Sequence, residues 1–317
     1  MKKIFIYNLL AISSIIILLE FSLRIFSSLN ELGFKKNLFD RTSITPIHNK
    51  NIESIVFGNK VFIDKYGFRV PKKNYFYNET RTNFLVMGDS VSFGVGVSEE
   101  ETFVGLLRKE FDNFNIFNSS VVGHNIKSYQ SLLPIYSDSL DFESVIIFFG
   151  LNDIVRSKGF LTKKDIKSNY FLARINVFLR NKSILYIYLK SKITDPEKRY
   201  FSYLRPAYED QNALEDLEKK ILDIKNFSSK KNKKLYFVIL PYEFQTRKEN
   251  CNNQFFFPQN EVIKIFENNQ INYKNFSKNF CDYKQPKKLF LKFDPLHLSS
   301  TGHLLVLKLI QDSGLIK

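Results

Sequence analysis

Ser90, Asp294 and His297 are the residue types that a nucleophile, an orienting carboxylate and a general base require. A serine hydroxyl is a weak nucleophile until a base takes its proton. No histidine lies near Ser90 in sequence, and the chain holds only His48, His124, His297 and His303. His297 has a carboxylate three residues before it, in Asp294-Pro295-Leu296-His297. In that arrangement Asp294 holds the imidazole in one tautomer and stabilises the imidazolium, while His297 takes the proton from Ser90. Attack on an acyl carbon creates an oxyanion, which needs donors already in place. The candidates are the backbone N–H of Ser90, the backbone N–H of Gly123 in Val121-Val122-Gly123, and the side-chain amide of Asn152 in Gly150-Leu151-Asn152-Asp153. One such donor contributes about 3 kcal/mol in the transition state. His303, in Ser300-Thr301-Gly302-His303, is the competing base, but it has no neighbouring carboxylate and reads as structural. His124 abuts the candidate oxyanion glycine, as a pocket or polar loop residue, and His48 falls in a linker without a specific role.

For these groups to meet, the fold must bring their loops to one edge of a sheet. Phe84-Leu85-Val86-Met87 and Val145-Ile146-Ile147-Phe148-Phe149 are apolar runs that read as buried strands, and Ile116-Phe117 as a third. Ser90, Gly123 and Asn152 then lie past strand carboxyl ends, where open α/β sheets bind ligands. Helical spacing of apolar residues predicts helices over Thr102–Phe111, Tyr129–Tyr136, Asn212–Phe227, Gln259–Asn268 and Ser299–Gln311. Leu235–Leu240 reads as a further strand, closed by Pro241. The alternation predicts a parallel sheet with helices on both faces. Upstream, 27–52 reads as a polar linker, and Ile55–Arg69 alternates around Gly58-Asn59 as a hairpin would. The chain has no Cys-x-x-Cys spacing and no phosphate-binding glycine loop, so neither metal nor cofactor is expected.

The order Gly-Asp-Ser, Gly, Gly-x-Asn-Asp, Asp-x-x-His resembles the SGNH/GDSL hydrolase superfamily, named for its Ser, Gly, Asn and His. The resemblance covers 84–317, with an unmatched, basic and aromatic insertion at 160–205. It implies a three-layer α/β/α, flavodoxin-like fold, with catalytic Ser90, Asp294 and His297 and an oxyanion hole of Ser90, Gly123 and Asn152. It also implies a serine esterase acting on an ester, O-acyl groups on a surface glycan or lipid. The alternatives are an O-acyltransferase modifying a cell-surface polysaccharide and a non-catalytic glycan-binding domain. Two positions depart from the pattern: Val91 stands where the family name has Leu, and Ser120 where many relatives have a second glycine. Neither touches the proton transfers. Tyr66-Gly67-Phe68-Arg69 resembles a segment of membrane-anchored bacterial members.

Targeting signals agree with export. After Met1-Lys2-Lys3, residues 4–26 are apolar apart from Asn8, Glu20, Arg24 and a few serines. That length spans a bilayer, so 1–26 is expected to be a transmembrane signal anchor, with 27–83 a linker and hairpin lead-in. A cleavable signal peptide ending near Ser27-Ser28 is the alternative. Cys251 and Cys281, an even pair, suit a single disulfide in an oxidising compartment. The expected location is therefore a membrane-anchored chain with an extracytoplasmic, or periplasmic, catalytic domain. The net charge of +15 does not point to nucleic acid, which an exported domain would not meet. From Phe160 to Arg205 there are eleven Lys/Arg against three Asp/Glu, more than half of the chain's excess, interleaved with aromatics. Such segments can lie on anionic membrane surfaces or contact acidic glycans; the alternative is that the basicity is a compositional habit of a chain rich in Lys, Asn, Ile and Phe throughout.

Overall fold

The computed structural model describes residues 2–26, 36–40, 43, 45–155, 170–292 and 294–316. Parts of two expected segments lie outside the described residues: 27–35, 41, 42 and 44 of the linker, with Ser27-Ser28 among them, and 160–169 of the insertion.

The architecture is mixed α/β, a central eight-stranded sheet flanked by helices. Its parallel part is β6 (Thr82–Met87), β7 (Phe114–Asn118), β8 (Ser144–Phe149), β9 (Lys234–Ile239) and β10 (Tyr273–Asn275). The spatial order is β10-β9-β8-β6-β7. β8 lies near the middle and every one of its residues is buried, which is why Ser144-Val145-Ile146-Ile147-Phe148-Phe149 reads as a continuous apolar run. The chain leaves β6 towards β7 and then returns past β6 to β8, so the order reverses at β6.

Helices follow each of these strands. α2 (Ser90–Phe93) and α3 (Phe103–Glu110) connect β6 to β7, and α4 (Ile126–Ser139) connects β7 to β8. Three insertion helices come next: α5 (Tyr170–Lys182), α6 (Ile184–Ile193) and α7 (Pro196–Leu204). α8 (Gln211–Lys230) leads to β9; α9 (Glu243–Thr246), α10 (Phe257–Asn268), α11 (Ser277–Cys281) and α12 (Ser300–Ser313) complete the domain. α3 packs with α12, and α4 packs with α8. Right-handed crossovers from a reversal point put these two pairs on opposite faces.

The sheet differs from the expected all-parallel one. β3 (Ile52–Val56), β4 (Asn59–Ile63) and β5 (Arg69–Val70) extend it antiparallel beyond β7, joined through Arg69 opposite Asn118. The hairpin turn also sits one residue earlier than expected, on Phe57-Gly58, with φ of 45° and 77°. Register explains the shift: pairing Val56 with Asn59 buries Ser54, Val56, Val61 and Ile63 on one face, and a one-residue slip would expose them. A separate two-stranded sheet, β1 (Phe39–Asp40) and β2 (Ile47–His48), precedes it. His48 is therefore no idle linker residue. It is buried between Phe39 and Phe93, with Nδ1 3.2 Å from Gly67 O, and burial pushes its pKa down to about 3.

α1 (Lys2–Phe26) precedes the domain. Its Lys3–Ile25 segment, 23 residues, is long and apolar enough to cross a membrane.

Cys251 and Cys281 are joined, with Cα atoms 6.0 Å apart. The bridge ties the segment after α9 to the end of α11, just ahead of the Asp294 loop. In the chain-entropy treatment, closing this loop stabilises by about 3 to 4 kcal/mol. The double variant C251S/C281S is accordingly expected to melt about 10 °C lower, as read by thermal unfolding of the oxidised parent beside it. An unchanged melting temperature would assign the bridge no role in stability.

Candidate active site

β6 ends at Met87, and Gly88-Asp89 turns the chain into α2. A Cβ on Gly88 would collide with the Ser92 side chain, so the tight turn needs glycine. Asp89 caps α2, its Oδ1 accepting from Val91 N at 2.8 Å. Ser90 is the first residue of that helix and lies at the point where strand order reverses. Its carbonyl accepts from Gly94 N at 3.1 Å and Val95 N at 3.2 Å.

The loop after β7 is fastened to this turn. Ser119 N donates to Val86 O at 2.9 Å, and Val121 N to Gly88 O at 3.2 Å. Gly123 follows with φ +84°, and among the described residues, its two chain neighbours aside, no atom lies within 4 Å of where its Cβ would be. Glycine is thus required by the left-handed backbone, and the space above it is open.

Asn152 sits in the 3₁₀ turn Leu151–Asp153 past β8. Its amide is held from both sides. Nδ2 donates to Asp89 Oδ2 at 2.7 Å, the Tyr242 hydroxyl donates to Oδ1, and Asn152 N donates to Tyr242 Oη at 3.0 Å. These partners fix which end of the amide is the donor and, among the described residues, leave its second N–H uncommitted. Asp153 is buried beside it, accepting from Tyr129 Oη at 2.8 Å and Gly150 N at 2.8 Å. Burial, with the charge of Asp89 adding, pushes Asp153 well above the usual carboxylate range. Burial also raises Asp89, against the opposing effect of its bonds to Asn152 and Val91 and of the nearby His297 charge.

The loop that carries Asp294 and His297 closes on itself. Phe290 bridges Leu298, and Leu291 N donates to His297 O at 2.9 Å. Asp294 Oδ1 accepts from Leu296 N at 3.0 Å and His297 N at 2.8 Å, and its Oδ2 lies 2.7 Å from His297 Nδ1. Burial disfavours both charges, but each outweighs it for the other: Asp294 is held below its ordinary pKa and His297 above, with Asp89 adding to the latter. The Nε2 of His297 has no hydrogen-bond partner among the described residues. The His297 and Asp294 side chains are 15 and 19 % exposed, while Nε2 itself is buried. Asp294 also borders a cleft of about 580 Å³, with Lys192, Thr194, Lys287 and Lys292 on its wall.

Of the residues singled out in the sequence, the structure links Asp294 with His297 directly, and ties Ser90 to Asn152 through Asp89. The Ser90 side and the His297 side are not hydrogen-bonded to each other in this structure, and the charges of Asp89 and His297 feel one another across the gap. His303 lies elsewhere: it is fully buried, Nδ1 accepts from Phe103 N at 3.2 Å, and burial lowers its pKa to about 3. His124 is buried beside Gly123, its ring facing Pro46 O, with a pKa lowered by burial to about 4.

Two further residues support this arrangement without a role assigned from the sequence, although Arg69 falls in the Tyr66-Gly67-Phe68-Arg69 segment. Tyr242 follows Pro241 at the end of β9, a fourth strand carboxyl end, and that position was the available signal. Arg69, fully buried, donates to Phe93 O, Gly94 O and Val97 O at 2.7, 2.7 and 2.8 Å and pairs with Glu99 at 2.8 Å. It holds the chain that leaves α2. Arg108 also pairs with Glu99 and donates to Arg69 O at 2.9 Å.

Asn152→Ala is expected to lower kcat by roughly 100- to 1,000-fold with KM little changed, as for a donor used in the transition state. Tyr242→Phe removes both bonds of that hydroxyl to Asn152, the one to the amide oxygen and the one from the backbone N–H; with a net loss of about 1 kcal/mol in positioning the amide it is expected to lower kcat about five-fold. Steady-state kinetics on an aryl acetate read both. A raised KM with kcat preserved in either variant would make Asn152 a ground-state binding residue.

No family model and no curated protein matches this chain. Among solved structures, it is similar to an acetyl xylan esterase, AlAXEase, at 15 % identity and TM-score 0.47, over 73 % of this chain and 99 % of that one. TesA is similar at 12 % identity and TM-score 0.46, over 73 % and 97 %. The psychrotrophic esterase EstA from Pseudoalteromonas sp. is similar at 16 % identity and TM-score 0.45, over 74 % and 96 %.

Proposed function

We propose that this chain is a serine esterase of the SGNH/GDSL type, held at a membrane by α1 with its catalytic domain on the extracytoplasmic side. The observation that carries the reading is the Asp294–His297 pair: Nδ1 is engaged by the carboxylate at 2.7 Å while Nε2 is left for a proton from elsewhere. The Asn152 amide, oriented by Asp89 and Tyr242, supplies the matching donor. The anchor reading is supported by the apolar Lys3–Ile25 segment, and the oxidising compartment by the Cys251–Cys281 bridge.

The reaction follows from these roles. Ser90 Oγ bonds to the acyl carbon as its proton passes to His297 Nε2. The Ser90 and Gly123 N–H groups and the Asn152 amide hold the oxyanion. Collapse breaks the ester C–O bond, and His297 returns the proton to the leaving alcohol. A second acceptor, deprotonated by His297, then attacks the acyl-enzyme and frees Ser90. If the acceptor is water the chain is an esterase; if it is a sugar hydroxyl it is an O-acyltransferase. The cleft bordered by Asp294 has room for the alcohol part of a glycan- or lipid-borne ester.

The test is turnover of a short-chain aryl acetate with and without a polysaccharide acceptor. Hydrolysis indifferent to the polysaccharide is expected. Acetate appearing on the polysaccharide would replace the esterase reading by the transferase. Absence of turnover in both arms would leave a glycan-binding domain.

A further inference from the structure

The N-terminal helix is fastened to the basic insertion through Glu20 and Arg24. The Glu20 carboxylate, in α1, accepts from Ser183 Oγ at 2.8 Å, Ile184 N at 3.0 Å and Leu185 N at 2.9 Å. Arg24, one turn later, pairs with Glu20 at 2.8 Å and donates to Lys182 O at 2.6 Å. Ile184 and Leu185 open α6, so their N–H groups have no partner within the helix, and a carboxylate is favoured there. Glu20, Leu23 and Arg24 are the part-buried residues of α1; its other described side chains are exposed. The last turns of α1 therefore hold the turn between α5 and α6.

That hairpin has an unusual surface. Residues 170–193 contain five Lys/Arg and no Asp/Glu. Yet Phe178, Leu189 and Ile193 are 62, 50 and 84 % exposed. Ile175, also exposed, is three residues from Phe178, and Leu189 is four from Ile193, so each pair shares a helix face. Exposed apolar side chains, in a segment whose own charged residues are all cations, are the composition of one lying on an anionic bilayer. The position agrees. A helix crossing a ~30 Å hydrocarbon layer uses about 20 residues, which puts Glu20 and Arg24 at the headgroup level of a span running Lys3–Ile25. Whatever they hold is at that level too.

We infer that α5 and α6 form an interfacial platform: they lie on the bilayer surface from which α1 emerges, with Ile175, Phe178, Leu189 and Ile193 in the acyl boundary and Lys182, Lys190 and Lys192 among anionic headgroups. The inference rests on the anchor reading and goes beyond the esterase reading. It also orients the catalytic domain. Lys192 and Ile193, at the end of α6, line the cleft that Asp294 borders, so that cleft is held at the membrane surface. The substrate class this favours is an ester carried in the bilayer or by a molecule bound to it.

The chain has no tryptophan, so a single introduced one reports its own surroundings. The full chain is reconstituted into vesicles of phosphatidylcholine and phosphatidylglycerol, and four variants are compared: F178W, L189W, I16W within α1, and F76W, an exposed site in the lead-in segment. Quenching is read with phosphatidylcholine brominated near the glycerol or deep in the chains. F178W and L189W are expected to emit to the blue of F76W and to be quenched more by the shallow bromines. I16W is expected to be quenched by the deep ones. Quenching of I16W with F178W and L189W unquenched would overturn the platform while the anchor stands. An unquenched I16W would remove the anchor reading, and the platform with it.

Discussion

Ser90→Ala is expected to lower kcat by about 10⁶, to the level supported by oxyanion donors and binding alone. The variant should otherwise be indistinguishable from the parent. What shapes the turn after β6 is Gly88, the Asp89 cap on Val91 N, and the Ser90 carbonyl, which Gly94 N and Val95 N use. None of these involves the Ser90 hydroxyl, so its removal should change stability by less than about 0.5 kcal/mol. That separation makes the measurement decisive: kcat on an aryl acetate and the thermal melting curve are taken on the same preparation. Loss of activity with the melting curve unchanged is the expected result. Activity near that of the parent would end the serine-nucleophile account, and a collapsed melting curve would show that the hydroxyl supports the fold.

Much of this arrangement was legible in the sequence because several local signals agree. The apolar runs before Gly88 and Gly150 become β6 and β8, and Leu235–Leu240 becomes β9 within a residue. A buried central strand must be apolar on both faces, so periodicity suffices to find it. The antiparallel extension was not legible. β3 to β5 join the sheet through a single pairing, Arg69 with Asn118, and nothing in a local pattern says which edge a hairpin will find. Buried polar groups were harder still. His48 reads as a linker residue until Phe39 and Phe93 close around it, and Arg69 reads as part of the Tyr66-Gly67-Phe68-Arg69 segment with no sign of what its guanidinium would hold. Its three carbonyl partners at Phe93, Gly94 and Val97 are 24 to 28 residues away. In the candidate site, the Asp294–His297 pair was legible because both partners lie within one loop. The Tyr242 clamp on Asn152 was not, since it spans 90 residues and a lone tyrosine after a proline carries no catalytic pattern.

The two histidines near the C-terminus give the sharpest contrast. His297→Ala is expected to cost about as much in kcat as Ser90→Ala, because nucleophile and base act as one unit. His303→Ala should spare kcat and instead destabilise by about 3 kcal/mol, since it leaves Phe103 N–H without its acceptor and opens a cavity beside Phe103. Their pH signatures differ in sign. The folded pKa of His297 is raised above 6.5, and only neutral imidazole can accept the Ser90 proton. Activity of the parent should therefore rise with pH through that raised value, while Asp294, held below its ordinary pKa, stays ionised throughout. The stability from the His297–Asp294 ion pair runs the other way: it is complete below the unfolded pKa near 6.5 and is lost as pH rises through the folded one. His303 has its folded pKa depressed to about 3, so the unfolded chain binds the extra proton and stability falls as pH drops from about 6.5 towards 3. His303→Ala should remove that part of the acid destabilisation and leave the pH profile of kcat/KM in place. The measurements are kcat/KM and melting temperature against pH for both variants and the parent. A profile displaced in His303→Ala but retained by an active His297→Ala would assign the base to His303.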